Sequence, residues 1–192
     1  MRSNHISVAG TMAGVVVFAL TVLPAARALS PIKITVTESG KTDYAVKQTS
    51  EKAKKVGPTF KSARFLAISL RDVSGKKQAG LSVRHYIFAT DVAANETVIA
   101  GKGEQTTELS AMGFVDLETK TVRLSYQPDH AKASKKHSQQ VDAEGLKYRG
   151  YVVQVWQAGK LVAEAADPPE LRAQVGTARE VTRQKSKKSS SK

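Results

Sequence analysis

The sequence predicts an all-β fold, an antiparallel sandwich or barrel, and three observations carry that reading. Short segments of alternating polarity recur along the chain between glycine, serine and proline turn signals. No stretch sustains the period of an amphipathic helix. The third observation is a β-hairpin, Tyr148 to Asp167, which holds the only tryptophan of the 192 residues.

The hairpin rests on residue chemistry. Tyr151, Val152, Val153, Val155 and Trp156 are β-branched or aromatic and suit a pleated, half-buried surface. Gly159 can take the positive φ that a tight reversal needs. A two-residue loop at Ala158-Gly159 would force Ala158 to positive φ, which its Cβ disfavours. A three-residue loop, Gln157-Ala158-Gly159, asks this of Gly159 alone. That register pairs Trp156 with Lys160 and Val155 with Leu161. It puts Tyr151, Val153, Val155, Leu161, Ala163 and Ala165 on one apolar face. Val152, Gln154, Trp156, Lys160, Val162 and Glu164 take the other, and a one-residue slip would carry Glu164 to the core. Trp156 is therefore expected as a partly exposed ring beside Lys160 and Val162.

In chain order, residues 1–28 read as an export signal. Arg2 gives a positive start, Val15 to Leu23 is an apolar run, and Ala26-Arg27-Ala28 fits the small-x-small cleavage rule. Cleavage is expected after Ala28, giving a secreted, periplasmic or cell-envelope protein. The run is too short for a comfortable membrane span, and no later segment is a candidate. What remains suits one domain plus a tail. The chain has no cysteine, which excludes disulfides, thiol nucleophiles and thiolate metal ligands.

Residues 29–62 are expected as a leading strand and a basic linker. Ile32, Ile34 and Val36 alternate with Lys33, Thr35 and Thr37 up to a turn at Ser39-Gly40. Between Lys41 and Lys61, Tyr44 to Gln48 suits a short strand and Ser50 to Lys55 a helical turn. Residues 63–171 are the expected sandwich core. Arg64 to Val73 puts Leu66, Ile68 and Leu70 on one face. Leu81 to Thr90 puts Leu81, Val83, Ile87 and Ala89 on one face, with Tyr86 and Phe88 on the other. Glu96 to Ala100, Gln105 to Leu109, Gly113 to Glu118 and Thr121 to Tyr126 are four shorter strands. Gly101-Lys102-Gly103 reads as a hairpin loop, and residues 118–121 fall where a turn would. Pro168-Pro169 closes the last strand. Residues 172–192 have little to bury and are expected as a disordered basic tail.

The order Gly80-Leu81-x-Val83-x-x-Tyr86-Ile87-Phe88, then the loop around Leu109 to Met112, then Gly150 to Trp156 with Gly159 to Val162, resembles immunoglobulin-like or fibronectin type III-like sandwich domains. It is similar to uncharacterised secreted bacterial proteins of that build, over about Arg64 to Leu171. The cysteine pair of antibody domains is missing. The resemblance implies an antiparallel immunoglobulin-like β-sandwich and no site residues.

No constellation of catalytic residues stands out. His85 lies mid-strand on the core side, as a hydrogen-bonded core or seam histidine would. His130 and His137 fall in a loop with Lys132, Lys135 and Lys136, at no standard metal spacing. No metal and no cofactor is expected. Ser74, Ser82 and Ser110 lack a base, and Asp72, Asp91, Asp116 and Glu118 are scattered at strand ends. Gly101-Lys102-Gly103 lacks phosphate-loop spacing.

Charge is the one unusual signal. The net charge is +13, falling to about +11 without Arg2 and Arg27. Outside the cytoplasm this favours anionic partners: an acidic polysaccharide, a lipid headgroup or another polyanion. A specific nucleic-acid reader is not expected, because no aromatic residues interleave with the lysines. The expectation is thus a secreted, non-enzymatic structural or binding module. Lys132, Lys135, Lys136, Lys185, Lys187, Lys188 and Lys192 are its candidate polyanion contacts. The alternatives are a carbohydrate- or protein-binding module using Trp156 as an exposed aromatic contact, or a polysaccharide-acting enzyme with paired acids.

Overall fold

The computed structural model describes residues 30–46, 58–133 and 138–181, and over these the protein is all-β. The leader expected at 1–28, the helical turn at 50–55, His137 and residues 182–192 lie outside the described residues. Among the described residues, no helix is long and apolar enough to cross a membrane.

β1 (Ile32–Val46) and β2 (Thr59–Asp72) pair antiparallel over most of their length. The chain does not turn at Ser39-Gly40 as expected. Gly40 carries the strand through, because at φ 129° its missing Cβ leaves room for the Ala63 carbonyl. The sheet thus begins at Ile32 with the expected leading strand, and that strand runs on to Val46, into the stretch expected as linker.

The remaining strands are β3 (Gln78–Asp91), β4 (Glu96–Leu109), β5 (Phe114–Glu118), β6 (Val122–Gln127), β7 (His130–Ala133), β8 (Ser138–Val141), β9 (Glu144–Gln157), β10 (Lys160–Asp167) and β11 (Arg179–Glu180). A 3-10 helix, Pro169–Gln174, separates the last two. The main sheet runs β1-β2-β6-β9-β3-β4-β11, with β5 also on β2 and β10 also on β9; β7 and β8 pair by themselves. β11 lies parallel to β4, so the sheet is mixed and not wholly antiparallel. Apolar side chains of β1, β2 and β6 meet those of β3, β4, β9 and β10 in one core, among them Leu66, Ile68, Leu70, Val83, Ile87, Val153 and Val155.

Two expected loops are absent. Gly101-Lys102-Gly103 is not a hairpin loop; β4 runs straight through it. A Cβ at Gly101 would meet the Val122 side chain, and one at Gly103 would meet the His85 ring, so both glycines permit close packing within a strand. β5 and β6 do not form a hairpin either. Each pairs with β2, one beyond the other. Thr119 bridges the break: its N–H donates to the Leu66 carbonyl, and its Oγ1 accepts the Leu66 N–H at 2.9 Å.

The hairpin register differs from the expected one. β9 and β10 are joined by a two-residue loop, with Ala158 at φ 47° and Gly159 at φ 74°. Lys160 pairs with Gln157 and Leu161 with Trp156, not Lys160 with Trp156. A bulge then falls between Leu161 and Ala163, so that Ala163 pairs with Val155 and Glu164 with Gln154. The bulge restores the phase that the longer loop was expected to supply, and Glu164 stays off the core. It also turns Val162 toward the core and leaves Leu161 exposed.

The tail expected to start at residue 172 is folded as far as Val181. Leu171 is fully buried against Phe88, Ile99 and Val152, in a second apolar cluster with Val175 and Ala178 packed on it. β11 then docks on Val98 and Ile99 of β4.

Asp72, at the end of β2, is fully buried and ties two loops together. Its carboxylate accepts hydrogen bonds from the Ser74 hydroxyl and amide, the Gly75 amide and, across the chain, the Met112 amide at 2.9 Å. The Ser74 hydroxyl first, and the three amides after it, lower the pKa from 3.8 to about 2. The folded pKa lies below the unfolded one, so this stabilisation is present above about pH 4 and fades as pH falls through about 2. Asp72→Asn should unfold at lower urea concentration at pH 7. The gap from the parent should narrow on acid titration, followed by circular dichroism.

Candidate anion-binding cleft

A cleft of about 560 Å³ opens on the face of β1, β2 and β6 away from the core. Strand register builds it. Lys41 of β1 lies opposite Ala63 of β2, and Ala63 opposite Arg123 of β6. One step along, Lys61 lies opposite Ser125. Because side chains alternate along a strand, Lys41, Lys61, Ala63, Arg123 and Ser125 share the outer face. Gly40, Ala63 and Ser125 are small and form the depression. Lys41, Lys61 and Arg123 are exposed around it, with Phe65 and Thr121 completing the lining.

The electrostatics are one-sided. Among the described residues, no carboxylate pairs with Lys41, Lys61 or Arg123, and no acidic residue lines the cleft. Several cations elsewhere in the chain are answered. Arg84 meets Glu104 at 3.5 Å, Arg172 meets Glu164 at 3.1 Å, Arg179 meets Asp91 at 3.0 Å, and Lys102 meets Glu180. A recess walled by three unpaired cations concentrates positive potential at its floor. It can bind an anion through charge-assisted hydrogen bonds, Arg123 as a planar two-pronged donor and the lysines as mobile point charges. No carboxyl or imidazole lines it to carry acid–base chemistry.

The residues singled out in the sequence fall elsewhere. Lys132 lies in β7, and nothing is described of its side chain. Lys135, Lys136, Lys185, Lys187, Lys188 and Lys192 lie outside the described residues. Trp156 is half-buried on the outer face of β9. The Arg84 guanidinium, not the Lys160 stem, lies over its ring, 5.1 Å from the centroid. Its Nε1 donates to Gln154, Gln154 donates to Glu164, and Glu164 pairs with Arg172. The ring is thus engaged by its own chain.

The candidate acids do not face one another. Asp116 and Glu118 project from the same side of β5, Asp91 pairs with Arg179, and Asp72 is bonded as above. His85 is buried on the core side as expected, but its Nδ1 has no hydrogen-bond partner. Burial pushes its pKa below 6.5, holding it neutral.

Arg123 does not stand out in the sequence, and Lys41 and Lys61 show there only as the ends of a basic stretch. The alternation of Leu66, Ile68 and Leu70 marked a strand from Arg64, but β2 begins at Thr59, so Lys61 fell outside the expected strand. The neighbours of β2 did not show, because β6 lies almost sixty residues on.

No family model matches this chain, and no curated protein does. Several solved structures are similar to it, among them these two. One is a Northeast Structural Genomics Consortium target, at 17% identity over 64% of this chain and 87% of that one, with a TM-score of 0.32. The other is a protein from Akkermansia muciniphila, at 11% identity over 78% and 81%, with a TM-score of 0.29.

Proposed function

We propose that this protein is a secreted, non-enzymatic module that attaches to an acidic polysaccharide of the cell envelope or matrix through the cleft of Lys41, Lys61 and Arg123. The carrying observation is that recess, walled by three cations that no described carboxylate answers. Its volume lies in the range of ligand-binding clefts. Its single aromatic wall, Phe65, suits one sugar ring better than a run of bases, which would need successive stacking platforms. Export rests on Arg2, the Val15–Leu23 run and Ala26-Arg27-Ala28. An immunoglobulin-like sandwich fits the way two groups of strands share one core. The reading with Trp156 as the contact has less support, since Arg84 already covers that ring.

The test is binding to polygalacturonate and dextran sulfate, with single-stranded DNA as competitor. Changing Lys41, Lys61 and Arg123 together to Gln should weaken binding on the order of 10- to 100-fold, at up to about 1 kcal/mol for each exposed charge. Affinity should also fall between about 0.1 and 1 M salt, where the screening length shrinks from about 10 to about 3 Å. Unchanged affinity in the triple variant, with binding lost on deleting Lys185 to Lys192, would move the site to the tail. No binding by the parent to either polymer removes the proposal.

A further inference from the structure

At the far end of the same outer face, three large apolar side chains stand in water: Phe114 is 73% exposed, Met112 63% and Val73 53%. Register places them together. Phe114 lies opposite Arg71, and Arg71 opposite Lys33 on the next strand. The Asp72 amide donates to the Gly113 carbonyl, which brings Val73 beside Met112 one step further out. The tip is held rigidly by Asp72, whose carboxylate caps the Met112 amide. Met112 itself sits at φ 57°, in the left-handed region that a residue with a Cβ rarely adopts. A strained, pinned backbone that turns a methionine toward solvent is a feature of binding loops.

The charges beside the tip identify its partner. Lys33 and Arg71 face each other directly across β1 and β2, both exposed, a like-charge pair that destabilises the sheet unless an anion answers it. Lys76, in the adjoining loop, is exposed as well. Among the described residues none of the three has an ion-pair partner, although Asp116 lies one row inward on the same face. The three apolar side chains offer on the order of 300 Å², well below the roughly 800 Å² per partner of a stable protein interface. Prongs this small need no shape-matched partner, and a cationic border suits a negatively charged, fluid surface.

We infer that Val73, Met112 and Phe114 insert into an anionic lipid surface, with Lys33, Arg71 and Lys76 meeting its headgroups. This site is independent of the cleft. The test uses the chain from Leu29 onward, which contains every described residue, and vesicles of phosphatidylcholine with or without phosphatidylglycerol. Sedimentation should occur with the anionic vesicles only. The pair Met112→Gly and Phe114→Ser should weaken it at least tenfold with an unchanged or higher melting temperature, because glycine relieves the φ strain. Insertion is read directly in a Trp156→Phe, Phe114→Trp protein, whose fluorescence should shift to the blue and be quenched by brominated acyl chains. The cleft variant should keep that quenching, which separates the two sites. The inference is overturned if the new tryptophan is not quenched, if neutral vesicles bind equally, or if the apolar pair changes only self-association.

Discussion

Leu171→Ala should lower the free energy of unfolding by about 2–5 kcal/mol, the range for removing a fully buried leucine. This is a large effect for a residue beyond the last strand of the hairpin. Leu171 is the cover of a second core: Phe88, Ile99 and Val152 all turn away from the main core and would otherwise face water. Neighbouring features serve the same closure. A Cβ at Gly150 would strike the Asp167 carbonyl and the Leu171 side chain, so the glycine lets the helix segment lie against β9. Urea unfolding followed by circular dichroism is the measurement. A change below about 0.5 kcal/mol, as at an unconstrained surface position, would mean the segment does not close this face.

His85→Leu should stabilise the protein by about 1–3 kcal/mol above pH 7, against the usual trend for core substitutions. The ring is buried, yet Nδ1 has no partner, so folding strips it of water without replacement. Its pKa is lowered by burial, so the unfolded chain binds the proton more tightly. Parent stability should therefore fall as pH drops below about 6.5, and the variant should lose that slope. Equal pH dependence in the two proteins would place the titration elsewhere.

Local residue chemistry made much of the fold legible. Alternation in Leu66-Ile68-Leu70 and in Leu81-Val83-Ile87-Ala89 identified core faces that the structure keeps. Val153 and Val155 are buried and Trp156 is half-buried, although the register that led there was different. Apart from the hairpin register, the differences share a physical cause: contacts distant in sequence override local preference. Ala158 accepts a positive φ because the bulge after Leu161 makes the short loop compatible with a buried Ala163. Gly101 and Gly103 mimic a loop signal but are small because Val122 and His85 press on them. Residues 172–181 look like a tail because their apolar partners lie on β3, β4 and β9. The cleft was hidden for the same reason, since its cations come from three strands that only the sheet order brings side by side.

The cleft and the apolar tip lie on one face, separated along β2 by the stretch from Ala63 to Arg71, about 26 Å at about 3.3 Å per residue. A rigid sheet with a polymer site at one end and a lipid-facing tip at the other would hold an acidic polysaccharide close to a membrane. That arrangement depends first on the cleft. An NMR titration of the labelled protein with polygalacturonate fragments tests it most directly. Amide shifts should saturate together at Lys41, Lys61, Ala63, Arg123 and Ser125, and should vanish in high salt. Shifts confined to Arg84 and Trp156, or to residues 182–192, with the cleft silent, would contradict it.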